Sequence, residues 1–139
     1  MRILAVDPGE KNIGIAVTDP TGTIANPLTI IKHVSRQIDA ATIAQLAEDH
    51  QAVRIIIGQA LDDENHPTVQ SRRASRLATA IQSQTGLPVI LWDESGSTQA
   101  ARSARISIAA PRRKRKGHLD DIAATYILQT YLDAHIDNP

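Results

Sequence analysis

Three acidic positions, far apart in the sequence, have the type and the setting to bind a metal ion. Asp7 follows the apolar run 3–6, Glu94 comes shortly after the apolar run 87–92, and Asp120 precedes a series of helical apolar residues. Carboxylate oxygens from separate elements are ligands that Mg²⁺ and Mn²⁺ favour. Such ions orient a phosphodiester, lower the pKa of water and stabilise a leaving oxygen. The three positions therefore predict phosphodiester chemistry, provided that the fold brings them together.

For Asp7, and for Glu94 with its neighbour Asp93, a simpler role competes with this one. Acidic residues are common in the turns that end strands, and for either site taken alone this structural role is the more common one. In an open α/β sheet, however, groups at the carboxyl ends of strands gather along one edge, where ligands bind. Both sites are therefore expected at that edge.

The helical pattern around Asp120 discriminates better. Extending the apolar stripe backwards at about 100° per residue puts Asp120 in its middle and Asp121 at its margin. An ionised carboxylate that faces a core is costly unless it is paired or bound to a metal. The alternative is an acidic residue at a helix start, favoured by the helix dipole beside Arg115 or Lys116, which explains its place in the first turn but not its face. The stripe consists of Ala123, Ala124, Ile127, Leu128 and Tyr131.

The elements that must position these residues follow the order βββαβαβαα. Short apolar runs bounded by turn residues predict strands around residues 3–6, 13–17, 28–31, 53–57 and 87–92. Capping signals predict helices from Ser35 to about His50, from Pro67 to about Thr85 with Gly86 as C-cap, from near Ser97 or Thr98, and over 118–135. Residues 106–117 lack periodicity and are predicted to form a mobile basic loop. One α/β domain over residues 1–139, a mixed five-stranded sheet with helices on both faces, accommodates this order.

Cations near these sites would hold the phosphates that flank a scissile bond. The predicted nucleic-acid contacts are Lys11, Arg102, Arg112, Arg113, Lys114, Arg115 and Lys116. The run 112–116 directly precedes the helix of Asp120, although such runs are more often solvated segments. A second group fits exposed helix faces better, and it comprises Arg72, Arg73, Arg76, Arg102 and Arg105. Phosphate contacts by either group would give salt-dependent affinity with little sequence preference.

The composition narrows the class of protein. The 139 residues carry 15 basic and 15 acidic side chains, with a net charge of −4 over residues 1–70 and +4 over residues 71–139. The absence of cysteine excludes disulfides, cysteine-ligated metals and thiol catalysis. With one Trp, two Tyr and no Phe, a platform that stacks successive bases is not expected. No apolar run is long enough to span a membrane, so a cytoplasmic protein without membrane contact is expected.

Three stretches of the sequence match, in order, the motifs of one known family. They are ILAVDPGEKNIGIA over residues 3–16, Trp-Asp-Glu at the start of 92–98, and Lys-Gly-His-Leu-Asp at the start of 116–129. With these stretches the chain resembles the YqgF family of RuvX-type pre-16S rRNA nucleases and Holliday-junction-resolvase homologues. The resemblance implies a ribonuclease H-like fold and an Mg²⁺- or Mn²⁺-dependent endonuclease that matures the 5′ end of pre-16S rRNA. It also implies a catalytic and metal-binding triad of Asp7, Glu94 and Asp120, and structured RNA or branched DNA as partner.

The chain departs from the family pattern in two places. Ser95, followed by Gly96, stands where the family commonly has Arg after the Asp-Glu pair. The segment 58–60 reads Gly-Gln-Ala in place of the usual Gly-Leu-Pro. The missing Arg removes a cation that would steady a carboxylate or a phosphate.

Several alternatives stay open at this point. One is a Holliday junction resolvase-like DNA nuclease, and another is a catalytically weak module that binds structured nucleic acid. An actin-like nucleotide-binding domain ranks last, because the chain has no second lobe and no second phosphate loop like that at Asp7–Gly9. The oligomeric state is open between a monomer and a weak homodimer.

Overall fold

The structure, a computed structural model, describes residues 1–93 and 112–135, with the backbone alone for residues 112–121. Within these ranges the chain forms five strands and three helices. The strands are β1 (Arg2–Pro8), β2 (Asn12–Thr18), β3 (Ala25–Lys32), β4 (Ala52–Gln59) and β5 (Val89–Asp93). The helices are α1 (Arg36–Asp49), α2 (Val69–Gln82) and α3 (Arg112–Ala134).

The five strands form one mixed sheet in the order β3-β2-β1-β4-β5. β2 pairs antiparallel with both β1 and β3, whereas β4 lies parallel between β1 and β5. Up to β5, the elements follow the predicted βββαβαβ order. The predicted α/β class with a mixed five-stranded sheet is therefore confirmed.

Helices cover both faces of the sheet, because successive side chains of each strand point to opposite sides and both sides are apolar. In β1, Leu4 and Val6 face α1 and α2, while Ile3 and Ala5 face α3. All five residues of the predicted apolar stripe in α3 are buried, at 6% exposure or less. From α1 and α2, the opposite core contains Ala40, Ile43, Ala47, Ala74, Leu77, Ala78 and Ile81.

Local hydrogen bonds fix where α1 and α2 begin. Ser35 caps α1 as predicted, since its hydroxyl accepts a hydrogen bond from the N–H of Ile38 at 3.2 Å. At the start of α2, Thr68 and Ser71 form a capping box in which each side chain accepts from the backbone N–H of the other. Such caps satisfy helix N–H groups that have no intrahelical partner.

The predicted end of α2 is wrong by three residues. The helix ends at Gln82, not near Thr85, and Gly86 is not its C-cap. The chain turns earlier because the N–H groups of Gln84 and Thr85 both donate to the carbonyl of Ile81.

The last helix also begins earlier than predicted. It starts at Arg112, so residues 112–117 of the predicted mobile basic loop are helical. Arg and Lys have high helix propensities, and a run of them need not interrupt a helix. Residues 106–111 and the helix predicted near Ser97 or Thr98 lie outside the described ranges. Neither α3 nor any other helix of the described ranges is long and apolar enough to cross a membrane.

Candidate active site

Asp7 occupies the carboxyl end of the central strand. It pairs with Gly14 of β2 and, one position beyond the pair Val6–Ile57, lies level with Gly58 of β4. Both cross-strand neighbours of Asp7 are therefore glycines, which have no side chain to cover its carboxylate. Asp7 itself is half-buried. Its position at the end of β1 agrees with the sequence-based expectation.

Asp7 lies on the face of the sheet that α3 covers. It continues the alternation of Ile3 and Ala5, which both pack in the α3 core. A Cβ placed on Gly58 would point to the same face of the sheet. It would collide with Cδ1 of Ile127 and lie 3.0 Å from Cγ1 of that residue. The glycine thus allows α3 to approach the sheet in the row of Asp7.

Two contacts fix the direction of α3 relative to the parallel strands. Ile127 packs at Gly58, whereas the hydroxyl of Tyr131, one turn later in the helix, accepts a hydrogen bond from Nη1 of Arg54 at 2.8 Å. Because Arg54 precedes Gly58 in β4, α3 runs antiparallel to that strand. Its earlier turns therefore point beyond Gly58, towards the carboxyl ends of the parallel strands.

The end of β5 is joined to α3 by an aromatic cluster. Nε1 of Trp92 donates to Oγ1 of Thr130 at 3.0 Å, and the ring meets Tyr131 edge-on with centroids 5.3 Å apart. His135 stacks on Tyr131 with ring centroids 4.2 Å apart. Trp92 is level with Gly58 and packs on the α3 face. The side chain of the next residue, Asp93, therefore points to the opposite face of the sheet.

The predicted triad is described only in part. Asp7 and Trp92 lie in one row, two strand spacings or roughly 10 Å apart, which brings the ends of β1 and β5 to the same edge. Glu94 lies outside the described residues, and Asp120 is described by its helical backbone only. Within the described part of the chain, no three acidic or histidine side chains form a group that holds a metal.

The predicted cations occupy two places. Lys11 is exposed in the turn between β1 and β2, four residues after Asp7. The run Arg112–Lys116 forms the first turns of α3, and Arg102 lies outside the described residues.

A cleft on the opposite face was missed by the sequence analysis. It lies between the turn after β1 and the starts of α1 and α2, and its lining includes His33, Arg36, Arg73 and Arg76. The three-residue spacing of Arg73 and Arg76 gives them one side of α2. Their proximity to His33 depends on how α1 packs against α2, which no local sequence signal reveals.

Asp19 shows what a purely structural strand-end carboxylate does. It follows β2, and its side chain accepts hydrogen bonds from the Thr21 hydroxyl and from the N–H groups of Thr23 and Ile24, the latter two at 2.9 Å. These bonds, the Thr21 hydroxyl first among them, hold the pKa of Asp19 well below its ordinary value.

The sequence and the fold were compared with those of known proteins. A family model described as "RuvX: Holliday junction resolvase" matches residues 1–134. A protein of Syntrophus aciditrophicus named "Putative pre-16S rRNA nuclease" is 39% identical over 134 residues, 96% of this chain and 89% of the relative. A protein of the same name from Thermoanaerobacter pseudethanolicus is 37% identical over 135 residues, 96% of this chain and 97% of the relative.

Solved structures agree on the fold. Thermus thermophilus RuvC superposes with a TM-score of 0.60 at 15% identity, covering 99% of this chain and 97% of RuvC. The Fowlpox virus resolvase, solved with Holliday junction DNA, gives a TM-score of 0.58 at 18% identity, covering 96% and 98%. The expected ribonuclease H-like fold is confirmed. Since the family model spans nearly the whole chain, the protein belongs to the RuvX family of nucleases.

Proposed function

We propose that this protein is a divalent-metal-dependent endonuclease that hydrolyses a phosphodiester bond in the maturation of the 5′ end of pre-16S rRNA. The observation that carries the proposal is the convergence of β1, β5 and α3 on one edge of the sheet. Asp7 lies at the end of β1 there, and the turns of α3 that precede Ile127 extend towards the same edge. The names of relatives at 37–39% identity supply the substrate.

Glu94 and Asp120 complete the proposed site. Trp92 packs on the α3 face, and we assign the second carboxylate to Glu94, two positions later in the sequence. Position 120 precedes Ile127 by seven residues, nearly two full turns, so the helical period gives it the same side of α3. That separation is about 10.5 Å along the helix axis, towards the edge where Asp7 lies.

The donor set fits Mg²⁺ or Mn²⁺. Asp7 offers hard carboxylate oxygens at a half-buried strand end flanked by two glycines, and Glu94 and Asp120 would add the same donor type. When bound, the ion would polarise the phosphate and lower the pKa of the attacking water. The carboxylates of Asp7, Glu94 and Asp120 would hold the ion and thereby fix the scissile phosphate at the end of β1.

The remaining predicted cations would bind phosphates on either side of the cleaved bond. Lys11 lies in the turn that follows Asp7, and the residues 112–116 begin the helix that carries position 120. We assign them, together with Arg102, to sequence-independent contacts with the nucleic-acid backbone. Processing of ribosomal RNA precursors would place the protein in the cytoplasm.

A second candidate function is the cleavage of four-way DNA junctions. It is favoured by the description of the matching family model, which names Holliday junction resolution. The same carboxylates would serve both substrates, because the phosphodiester chemistry is shared and only the surrounding contacts differ.

The deciding experiment compares two aspartates at strand ends. Purified wild-type protein, Asp7→Asn and Asp93→Asn are incubated with pre-16S rRNA and with a four-way DNA junction, in Mg²⁺, Mn²⁺ or EDTA. We expect cleavage that requires a divalent ion, is lost in Asp7→Asn and persists in Asp93→Asn, whose side chain has the opposite face. Cleavage by folded Asp7→Asn at the wild-type rate would refute the proposal, and the preferred nucleic acid decides between the two functions.

A further inference from the structure

A cleft of about 450 Å³ opens on the α1–α2 face, directly behind the proposed active site. Pro8 and Gly9, the two residues after Asp7, form part of its wall. Residues of α1 and α2 and of the segment before α1 form most of the rest. The volume falls in the range of small-ligand pockets, about 300–1,000 Å³.

The cleft has an excess of uncompensated positive charge. Arg36 begins α1, and Arg73 and Arg76 project from α2 into the same space. In the described part of the chain none of these three arginines forms a salt bridge. The acidic residues of the lining are Glu10, which is exposed, and Asp39.

Asp39 is committed to holding His33. It is 3% exposed, and its carboxylate accepts from Nδ1 of His33 at 2.5 Å and from the N–H of Val34 at 3.1 Å. A carboxylate is an acceptor only, so Nδ1 of the ring is the donor in this bond. The backbone N–H of His33 donates to the carbonyl of Lys11 at 2.9 Å, which ties this segment to the turn after β1.

We propose that this cleft binds a backbone phosphate of the nucleic acid, adjacent to the phosphate that is cleaved. The proposal takes the nature of the partner from the proposed function. Guanidinium groups match the geometry of phosphate oxygens with two parallel hydrogen bonds, and three of them can surround a phosphodiester. A free phosphate offers the same oxygens, so the test must separate the two sources.

Two further features favour a nucleotide over a small ion. Val69 lines the cleft and is 70% exposed, which provides apolar surface for a ribose or the face of a base. Gly9 lies two residues after Asp7, so even along an extended chain the two residues are at most about 7 Å apart. One strand passing over the end of β1 can therefore contact both the carboxylate side and the arginine side.

The test uses neighbouring arginines of α2. Binding of a fluorescently labelled pre-16S leader RNA and of a labelled four-way DNA junction is measured by anisotropy in EDTA, where no cleavage occurs. Arg73→Gln, and separately Arg76→Gln, should weaken binding about tenfold, as expected for lost charge-assisted hydrogen bonds. Each should also lower the salt-dependence slope by about 0.7–0.9. Arg72→Gln removes the same charge from an exposed position that does not line the cleft, and it should change the affinity less than twofold.

The outcomes separate the cleft from the active site. Equal losses in Arg72→Gln and Arg73→Gln, or no loss in either cleft variant, would overturn the proposal. Inorganic phosphate and chloride are also compared as competitors at equal ionic strength. If phosphate displaces the RNA more than chloride does, the cleft is a small-anion site and the proposal is overturned. If Asp7→Asn cleaves normally while Arg73→Gln fails to bind, the proposed catalytic site is wrong and the cleft stands.

Discussion

The two faces of the sheet are held by different means. On one face, α1 and α2 pack against each other and share a core with residues of all five strands, and each begins at a hydrogen-bonded cap. On the other face, α3 is the one helix that the described residues place across the sheet. It is held by the contact of Ile127 with Gly58 and by hydrogen bonds from Arg54 and Trp92 to its last turns.

The chemistry is divided in the same way. The carboxylate of Asp7 lies on the α3 face, whereas Arg36, Arg73 and Arg76 surround the cleft of the α1–α2 face. The α3 face depends on the docking of one helix, so substitutions that disturb this docking should affect cleavage most. Changes in the cleft should affect binding. The predictions below test this division.

The largest effect is expected from the two acidic residues that complete the proposed site. Glu94→Gln and Asp120→Asn should each reduce cleavage roughly a thousandfold, because each removes one charged ligand worth several kcal/mol at the transition state. Since groups that act as a unit are not additive, Asp7→Asn combined with Asp120→Asn should be no worse than either alone. Single-turnover cleavage rates measure both expectations.

Asp121→Asn is the matched control for Asp120→Asn. The two acids are adjacent, but position 121 is rotated about 100° away, to the margin of the stripe that includes Ile127. Its cleavage rate should stay within a few-fold of wild type. A thousandfold loss in Asp121→Asn with normal activity in Asp120→Asn would mean that α3 presents a different side to the sheet.

The next effect concerns the docking of α3 itself. Gly58→Ala introduces a Cβ that collides with Cδ1 of Ile127, so either the Ile127 side chain or the helix must shift. We expect a loss of about 1–3 kcal/mol in the free energy of unfolding, as in other overpacked cores, accompanied by a loss of cleavage. Ile127→Val removes the colliding methyl group at a cost of about 0.5–1.5 kcal/mol. The double variant should therefore be more stable than the sum of the two single changes indicates.

Gly86→Ala provides the control for glycine replacement. No atom lies within 4 Å of a Cβ at position 86, and Gly86 does not have positive φ. The substitution should leave stability unchanged or raise it by about 0.4–1 kcal/mol through the unfolded state. Urea denaturation of the four variants gives these values, and strict additivity of Gly58→Ala and Ile127→Val would contradict the described contact.

The features that could be predicted from sequence are those with local causes. Ser35 predicts the start of α1 because capping is a bond between residues three positions apart. The apolar stripe of α3 predicts its buried side because the helical period is fixed. The position of Asp7 at a strand end follows from the short apolar run before it.

The features that could not be predicted depend on distant partners. The need for glycine at position 58 becomes visible only when Ile127, 69 residues later, packs against it. The cleft has the same cause, since the proximity of His33 and Arg36 to Arg73 arises from the packing of two helices. The start of α3 was predicted too late because five cations resemble a solvated segment, while their helix propensity favours the opposite. The roles of Glu94 and Asp120 stay predictions.

A smaller effect is expected at the beginning of α3. The residues 112–116 place five cations at the positive end of the helix dipole, and its first turn contains no acidic residue. Each cation there is unfavourable by about 0.3–1 kcal/mol, and bound phosphates would offset that cost. Adding RNA in EDTA should slow amide hydrogen exchange over residues 113–117 by about fivefold, with no change in the middle of α1. Equal slowing in both helices would indicate a general stabilisation rather than contact at α3.

The smallest effect provides the baseline for a carboxylate with a structural role. Hydrogen bonds from Thr21, Ile24 and Thr23 lower the pKa of Asp19 in the folded protein, so the folded state binds this proton less readily than the unfolded chain. The resulting stability is present above the ordinary aspartate pKa of about 3.9 and is lost as the pH falls below it towards the depressed value. Asp19→Asn should therefore make the urea midpoint fall less between pH 6 and pH 3, while pre-16S rRNA cleavage at neutral pH stays at the wild-type rate. Thr21→Val, which removes the largest contribution, should shift the midpoint in the same direction by a smaller amount. If the urea midpoints of wild type and Asp19→Asn change in parallel with pH, the carboxylate does not stabilise the turn. Asp19 would then no longer serve as the structural counterpart of Asp7.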